Sequence, residues 1–201
     1  MADGPNIDLI VPRYEEIPAF YQAADQMGFH RLWFTEMLFS QGWRRQSGLD
    51  RYSALTAASA VTSRIRLGTA YMGSPRPPIL SFAAKLAGLD NISNGRLSLG
   101  ISQHDWPDEG AGERQRPRAD GRLAETITAL KKLWSEHEVS AKGGHINLER
   151  ASIDVKPAQV GGIQVLVAGV TSAAVNHAST LADGWVHPSV GVPGGAGLRY
   201  G

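Results

Sequence analysis

Short apolar runs alternate along this chain with longer segments in which apolar residues recur at helical spacing. Runs bounded by glycine, proline or polar residues predict strands, and recurrence every three or four positions predicts amphipathic helices. The predicted strands begin near residues 7, 31, 65, 96, 163 and 183. The predicted helices cover residues 15–27, 52–62, 79–89, 120–134 and 172–181. Strand and helix therefore alternate throughout, which predicts a parallel sheet with crossover helices.

The longest interval between predicted strands holds an additional segment, residues 139–157. Gly143 and Gly144 stand there between short apolar runs, which predicts a hairpin. An open doubly wound sheet and a (β/α)8 barrel both fit the alternation as a whole. A dinucleotide-binding sheet would carry G-x-G-x-x-G after its first strand, and the segment from Val11 to Glu16 contains no glycine. The α/β barrel of the TIM type is therefore favoured.

Composition excludes several classes of protein. The 201 residues include 20 Lys+Arg and 19 Asp+Glu, and 42% are hydrophobic, which excludes a disordered chain and gives no general attraction to nucleic acid. The absence of cysteine excludes disulfides, thiolate nucleophiles and cysteine-ligated metal centres. No apolar run approaches the roughly 18 residues that cross a bilayer, and the first residues have no secretory pattern. We expect a cytoplasmic protein that does not bind membranes.

Several short motifs lie in order between about residues 7 and 187. In chain order they are residues 23–29 together with 32–36; residues 54–69; residues 89–100; residues 122–125 followed by 133–134; and residues 167–169 together with 182–185. The segment Leu89-Asp-Asn-Ile-Ser-Asn-Gly-Arg-Leu-Ser-Leu-Gly100 is the most diagnostic of them. Each motif alone is weak, but together and in this order they resemble the bacterial luciferase-like monooxygenase superfamily.

This resemblance implies a (β/α)8 barrel that binds reduced FMN or the deazaflavin F420 at the carboxyl ends of its strands. FMN-dependent members oxygenate a small organic substrate, whereas F420-dependent members transfer a hydride. In both cases the cofactor carries the chemistry, and the protein orients it and controls access of water. The resemblance also implies a small-molecule substrate, a flavin or F420 reductase as a possible partner, and a homo-oligomer.

The resemblance places cofactor contacts at the ends of the second and third strands. Glu36 ends the second strand. At Thr69, Ala70 and Tyr71 the family has a bulge with a non-proline cis peptide against the cofactor ring, here expected between Ala70 and Tyr71. From the sequence alone, an ordinary strand end would be the simpler interpretation.

A phosphate site is expected at Gly169, Val170, Thr171 and Ser172, between the fifth strand and the helix that follows. Free N–H groups and the helix dipole favour an anion at such a position. The alternative is that Thr171 or Ser172 only caps the helix. Both roles are compatible.

The loop after the fourth strand carries Gln103, Asp105 and Asp108. Gln103 and Asp108 match positions that contact the cofactor in some relatives, and Asp105 matches a carboxylate that donates a proton in certain F420-dependent ones. A solvated acidic loop is the alternative. The spacing of His104 and the acidic residues matches no common ligand motif, so we expect no metal site.

Three residues are expected near the substrate: Met37, Trp43 and His187. Met37 stands where several relatives carry a catalytic histidine, so that proton-transfer role is in doubt. For Trp43 and His187, the alternative is that the side chain only packs against other side chains. Arginines at 114, 116, 118 and 122 could meet the polyglutamate tail of F420, and they favour that cofactor slightly.

Length limits how much of a barrel the chain can form. We expect a partial barrel domain at 1–187, with about six strands and without the last two βα units, followed by a flexible Gly-rich tail at 188–201. A non-catalytic flavin-binding protein, a partner subunit, and a fragment of a longer enzyme are therefore alternatives to an active oxidoreductase.

Overall fold

The computed structural model describes residues 6–8, 17–34, 50–70, 72–73, 78–102 and 121–186. Five α-helices occur in these residues: α1 (Ile17–Gln26), α2 (Arg51–Val61), α3 (Ile79–Ile92), α4 (Arg122–Ser135) and α5 (Ser172–Thr180). The strands there are β1 (Asn6–Asp8), β2 (Arg31–Phe34), β3 (Arg66–Thr69), β4 (Met72–Gly73), β5 (Leu97–Ser102), β6 (Val139–Lys142), β7 (Asn147–Ala151), β8 (Gln164–Ala168) and β9 (Gly184–Val186).

The main sheet is parallel, as the alternation of strand and helix predicts. Its strands lie in the order β1-β2-β3-β5-β8-β9, and β4 also pairs with β5. Between each strand and its neighbour in this order the chain passes through a helix. This strand–helix unit is the repeating unit of the TIM barrel. The fold class is therefore confirmed as an incomplete α/β barrel of the TIM type.

The third predicted strand differs from the structure. The pattern predicts one strand over 65–71, whereas β3 ends at Thr69 and β4 begins at Met72. The N–H of Ala70 still donates to the carbonyl oxygen of Phe34 on β2 (2.8 Å), but Met72 is aligned with Ile101 of β5. Both strands pair with β5, but the register shifts by one residue between Gly68, which is aligned with Ser98, and Met72. An apolar pattern cannot reveal such a shift.

The hairpin predicted within 139–157 is confirmed as the antiparallel pair β6–β7. Its turn is held by Glu125 of α4, whose carboxylate accepts hydrogen bonds from the N–H groups of Gly144, His145 and Ile146 at 2.8 to 3.0 Å. The bond from His145, together with those from Ile146 and Gly144, holds the pKa of Glu125 below its usual value. A Cβ on Gly143 would collide with this carboxylate and would have to displace it from the turn.

The two faces of the main sheet differ because side chains alternate along each strand. One face packs against the helices and forms the main core, which includes Leu32, Leu67, Leu99 and Val167. The opposite face carries a smaller cluster of Trp33, Ala70, Leu166, Ala168 and Val186. In a barrel this second face is the interior, and we call the five residues the inner cluster.

Hydrogen bonds from side chains tie together the amino-terminal edge of the sheet. The carboxylate of Asp25 accepts from the N–H groups of Ser63, Arg64 and Ile65 at 3.0, 3.0 and 2.6 Å. Burial alone would raise the pKa of Asp25, but these hydrogen bonds outweigh it and lower the pKa. The segment that leads into β3 is therefore anchored to the end of α1.

Arg96, just before β5, makes a second set of bonds at this edge. Its guanidinium donates to the carbonyl oxygens of Ser59, Thr62, Ile65 and Ser93 and to the hydroxyl of Thr62, at 2.6 to 3.2 Å. These carbonyl groups lie at the ends of α2 and α3 and before β3, where helix geometry leaves acceptors without partners. Burial lowers the pKa of Arg96, and the nearby Asp25 carboxylate partly opposes that shift.

Candidate functional site

The carboxyl ends of the parallel strands meet at one edge of the main sheet, where TIM-type barrels bind their ligands. The strands of the main sheet end at this edge at Asp8, Phe34, Thr69, Gly73, Ser102, Ala168 and Val186. Thr69 and Ser102 are buried. Among these strand ends, Thr69, Gly73, Ser102 and Ala168 are small residues, whereas Asp8 is charged.

The hydroxyl of Thr69 is used within the protein. It donates to the carbonyl oxygen of Gly100 at 3.0 Å and accepts from the N–H of Gly100 at 2.9 Å. A Cβ on Gly100 would collide with the carbonyl oxygen of Thr69, so this contact between β3 and β5 requires glycine. The cofactor contact at Thr69 stays a prediction. It concerns the backbone of Thr69, because the hydroxyl is already bonded to Gly100.

Ala70 and Ala168 bring two predicted parts of the site together. Both belong to the inner cluster and are 2% exposed, although they lie on either side of β5. Ala70 follows the end of β3, and Ala168 directly precedes the predicted phosphate loop. The predicted ring contact and the predicted phosphate site thus lie at the same edge of the sheet.

The loop from Gly169 to Ser172 leads from β8 into α5. Gly169 has φ +152°, and a Cβ there would lie 2.7 Å from the Cβ of Ala174. Thr171 caps the helix, since its Oγ1 accepts from the N–H of Ala174 at 3.2 Å. Val170 is 67% exposed, and Ser172 is exposed as the first helical residue. Because the first N–H groups of a helix have no partner within it, this loop can accept an anion in addition to its cap.

Trp185 on β9 supports the same loop. Its indole N–H donates to the carbonyl oxygen of Gly169 at 2.7 Å. The two groups of a trans peptide point in opposite directions, so the N–H of Val170 points away from Trp185. The loop is thus connected to the neighbouring strand as well as to α5.

A polar layer lies on the inner face towards the amino-terminal edge. The side-chain oxygen of Gln164 accepts from Arg31 (2.8 Å) and Ser98 (3.0 Å), and Arg66 donates to Gln159 at 3.3 Å. Arg31 also lies 5.0 Å from the ring centroid of Trp33. The layer is remote from the carboxyl ends, and its hydrogen bonds join β2, β5 and β8.

The remaining predicted site residues lie outside the described residues: Glu36, Met37, Trp43, Tyr71, Gln103, Asp105, Asp108 and His187. The expected cis peptide after Ala70 is among these untested predictions. Of the arginines expected near a cofactor tail, Arg122 alone is described, as the first residue of α4.

Sequence reasoning missed Gly68, Gly100 and Trp33. A Cβ on Gly68 would lie 2.5 Å from Cε3 of Trp33, and one on Gly100 would lie 3.4 Å from its Cζ3. Glycine inside a strand indicates close approach of another group, so the two glycines carried a usable signal. What they approach depends on strand order and register.

The described residues contain neither a metal-binding cluster nor a membrane-spanning helix. No group of three or more His, Asp or Glu residues there could hold a metal ion. In the same part of the chain, no helix combines the length and hydrophobicity needed to cross a membrane.

Comparisons with known proteins agree with the fold. A family model described as luciferase-like monooxygenase matches residues 2–195. An uncharacterised protein of Mycobacterium tuberculosis is 32% identical over 179 residues, which cover 88% of this chain and 60% of that protein. The F420-dependent hydroxymycolic acid dehydrogenase of the same organism is 30% identical over 185 residues, which cover 87% of this chain and 49% of the relative.

Among solved structures, the monooxygenase RslO1 of Streptomyces bottropensis is similar, with a TM-score of 0.73 and 28% identity. The match covers 89% of this chain and 56% of the RslO1 chain. The chain thus spans about half of the length of the proteins that it matches.

Proposed function

Because the chain belongs to the luciferase-like monooxygenase family, we propose that it is an oxidoreductase that binds F420 or reduced FMN at the carboxyl ends of its parallel strands. The observation that carries this proposal is the position of Ala70 and Ala168 in one inner cluster. It brings the end of β3 and the loop before α5 to the same place. One bound molecule can then contact both.

The phosphate of the cofactor would lie against the loop from Gly169 to Ser172. The residues fit a phosphate because the first N–H groups of α5 are open to a ligand and the helix dipole favours negative charge there. Gly169 lets the chain turn close to Ala174, and the exposed Val170 leaves its backbone accessible. Thr171 holds the first helical turn in place through its cap.

The ring system of the cofactor would lie over the inner cluster. Ala70 and Ala168 have small side chains, so a flat aromatic ring can approach the backbone there. When bound, F420 would supply hydride transfer, and reduced FMN would supply oxygen activation. The protein's own contribution would be to bind the ring, orient it and keep water from it.

We favour F420 over FMN. The dehydrogenase relative described above is F420-dependent by name, and the arginines at 114, 116, 118 and 122 offer positive charge for an anionic tail. A reductase that supplies the reduced cofactor is then a proposed partner, and a small organic molecule is the proposed substrate. Asp105 is the proposed proton donor, and Glu36, Tyr71, Gln103 and Asp108 are proposed cofactor contacts.

A second candidate function is cofactor binding without catalysis, alone or as a partner subunit. The observation that favours it is Met37, which stands where the family pattern has histidine after the acidic residue. A chain without that proton-transfer group could still hold the cofactor through its backbone loop. Turnover would separate the two candidates.

The test is a fluorescence titration of the 201-residue chain with F420, FMN and riboflavin. We expect about micromolar or tighter dissociation constants for at least one phosphate-bearing cofactor, and weaker binding of riboflavin, which lacks the phosphate. Turnover of a substrate panel with reduced F420 or reduced FMN then identifies an enzyme. Absence of binding to both F420 and FMN would overturn the proposal.

A variant of the phosphate loop sharpens this test. Gly169→Ala would place a Cβ 2.7 Å from that of Ala174 and displace the loop, so we expect F420 and FMN to bind at least tenfold more weakly. Riboflavin should be less affected. Gly144→Ala is the matched control, since its Cβ would make only an ordinary 3.6 Å contact with Glu125. Equal weakening in both variants would argue against a phosphate site at this loop.

A further inference from the structure

Trp33 carries a buried hydrogen-bond donor that has no acceptor among the described residues. The residue is 4% exposed, and its indole Nε1 has no hydrogen-bond partner within the part of the chain that the structure describes. Buried N–H groups in proteins are nearly always paired, because an unpaired one loses its bond to water without compensation. An unpaired donor at a strand centre therefore needs an explanation.

The surroundings of Trp33 hold the indole in a defined orientation. Gly68 and Gly100 form a slot for its benzene ring, since a Cβ on either residue would press against Cε3 or Cζ3. Arg31, which is bound to Gln164, lies 5.0 Å from the ring centroid. The atoms in the slot are on the opposite edge of the indole from Nε1. The N–H is thus on the edge that the glycines leave free.

The residues beside Trp33 show on which face of the sheet its side chain lies. The neighbouring residues Leu32 and Phe34 pack in the main core with the helices, so Trp33 lies on the inner face. There it joins Ala70, Ala168 and Val186, which lie at the carboxyl ends of three strands. Trp33 therefore lies on the inner face between the layer of Arg31 and the residues at the carboxyl ends, where ligands of TIM-type barrels bind.

We propose that the indole N–H of Trp33 donates a hydrogen bond to a carbonyl oxygen of the cofactor's pyrimidinedione ring, the part that FMN and F420 share. This inference rests on the proposed function. A neutral donor suits a neutral carbonyl on a flat ring, because neither partner adds a charge to the inner cluster, whose other members are Ala70, Leu166, Ala168 and Val186. Trp33 then forms the floor of the cofactor site and selects the ring's orientation.

The experiment uses the indole N–H signals of the five tryptophans in the intact chain, measured by proton–nitrogen NMR. Trp33→Phe keeps an aromatic ring in the glycine slot, removes the N–H and identifies the Trp33 signal. On saturation of the wild type with F420 or FMN, we expect this signal to move downfield, as a new hydrogen bond requires. The signal of Trp134, whose N–H already donates to the carbonyl oxygen of Ala83 at 3.1 Å, should not move.

Affinity provides the second measurement. We expect Trp33→Phe to bind the cofactor about tenfold more weakly, the loss typical of one hydrogen bond to a neutral acceptor. Trp134→Phe is the matched control, because it also removes a buried indole N–H. It should lower the midpoint of thermal unfolding and leave cofactor affinity unchanged.

The outcomes distinguish this inference from the function on which it rests. If a cofactor binds and the Trp33 signal stays in place, the inference is wrong and the proposed function stands. If neither F420 nor FMN binds the wild type, both are overturned. Should Trp33→Phe fail to fold, the wild-type signals still decide, with assignment by selective labelling. The cofactor that moves the signal is the one that the site accepts.

Discussion

The two edges of the main sheet are built differently. At the amino-terminal edge, Asp25 and Arg96 tie helix ends and strand starts together through side-chain hydrogen bonds. At the carboxyl edge, Thr69, Ser102, Ala168 and Val186 are small or apolar, and the indole N–H of Trp33 on the inner face has no hydrogen-bond partner among the described residues. The first edge uses its polar groups for stability. The second is where we propose that a ligand binds, as expected where a barrel separates folding from function.

Arg96→Met should show the largest effect on stability. It leaves several buried or half-buried acceptors at the ends of α2 and α3 without a donor, and we expect a loss of about 3 kcal/mol in the free energy of unfolding. Denaturant unfolding measures the loss. Arg150→Met is the control, because Arg150 pairs with Glu138 while its side chain is 78% exposed, and such a pair contributes little. Similar losses in both variants would contradict the contrast between the two edges.

Asp25→Asn should have the next largest effect, about 2 kcal/mol at neutral pH, since the amide cannot accept all of the hydrogen bonds that the carboxylate accepts. Because folding lowers the pKa of Asp25, its contribution is present above the unfolded value of about 3.9 and is lost as pH falls through the folded value. The wild type and the variant should therefore converge in strong acid.

Urea unfolding of both proteins between neutral pH and about pH 2 tests this convergence. The difference between wild type and variant isolates Asp25 from the other carboxylates whose pKa is lowered, Asp50 and Glu125. Asp154→Asn, at an exposed position, controls for the loss of one negative charge. A difference that stays constant with pH would show that Asp25 acts through packing instead.

Thr171→Ala, at the carboxyl edge, should have the smallest effect on stability. Loss of the bond from the N–H of Ala174 costs about 1 kcal/mol for a typical helix cap. Its effect on cofactor binding should be clearer, because the first turn of α5 loosens, and the preference for FMN over riboflavin should fall. Thr56→Ala, which removes a hydroxyl bonded to the carbonyl oxygen of Tyr52 within α2, should leave that preference unchanged.

Much of the fold was predictable because its signals are local. Helical spacing identified α2 and α4, and Asp50 caps α2 as a side chain next to the first turn does. The pair Gly143-Gly144 marked the hairpin, and Thr171 was recognised as a cap candidate. In each of these cases the interacting residues are close in the chain or share one periodic face.

The candidate site was predictable only in part, because its contacts cross the sheet. The motifs directed attention to Ala70 and to Gly169, but not to Trp33, Gly68 and Gly100, which meet through strand register. The anchoring of residues 63–65 by Asp25 was missed for the same reason, since almost forty positions separate the carboxylate from the N–H groups that it binds.

The sequence by itself determined the alternation of strand and helix, the family and the positions of the turns, because periodicity and short motifs act over a few neighbouring residues. Only the tertiary structure decided that Thr69 uses its hydroxyl on Gly100, that Ala70 and Ala168 share a cluster, and that the buried N–H of Trp33 has no partner among the described residues. The physical reason is that burial and pairing depend on which strands lie side by side, and strand order is a property of the whole sheet.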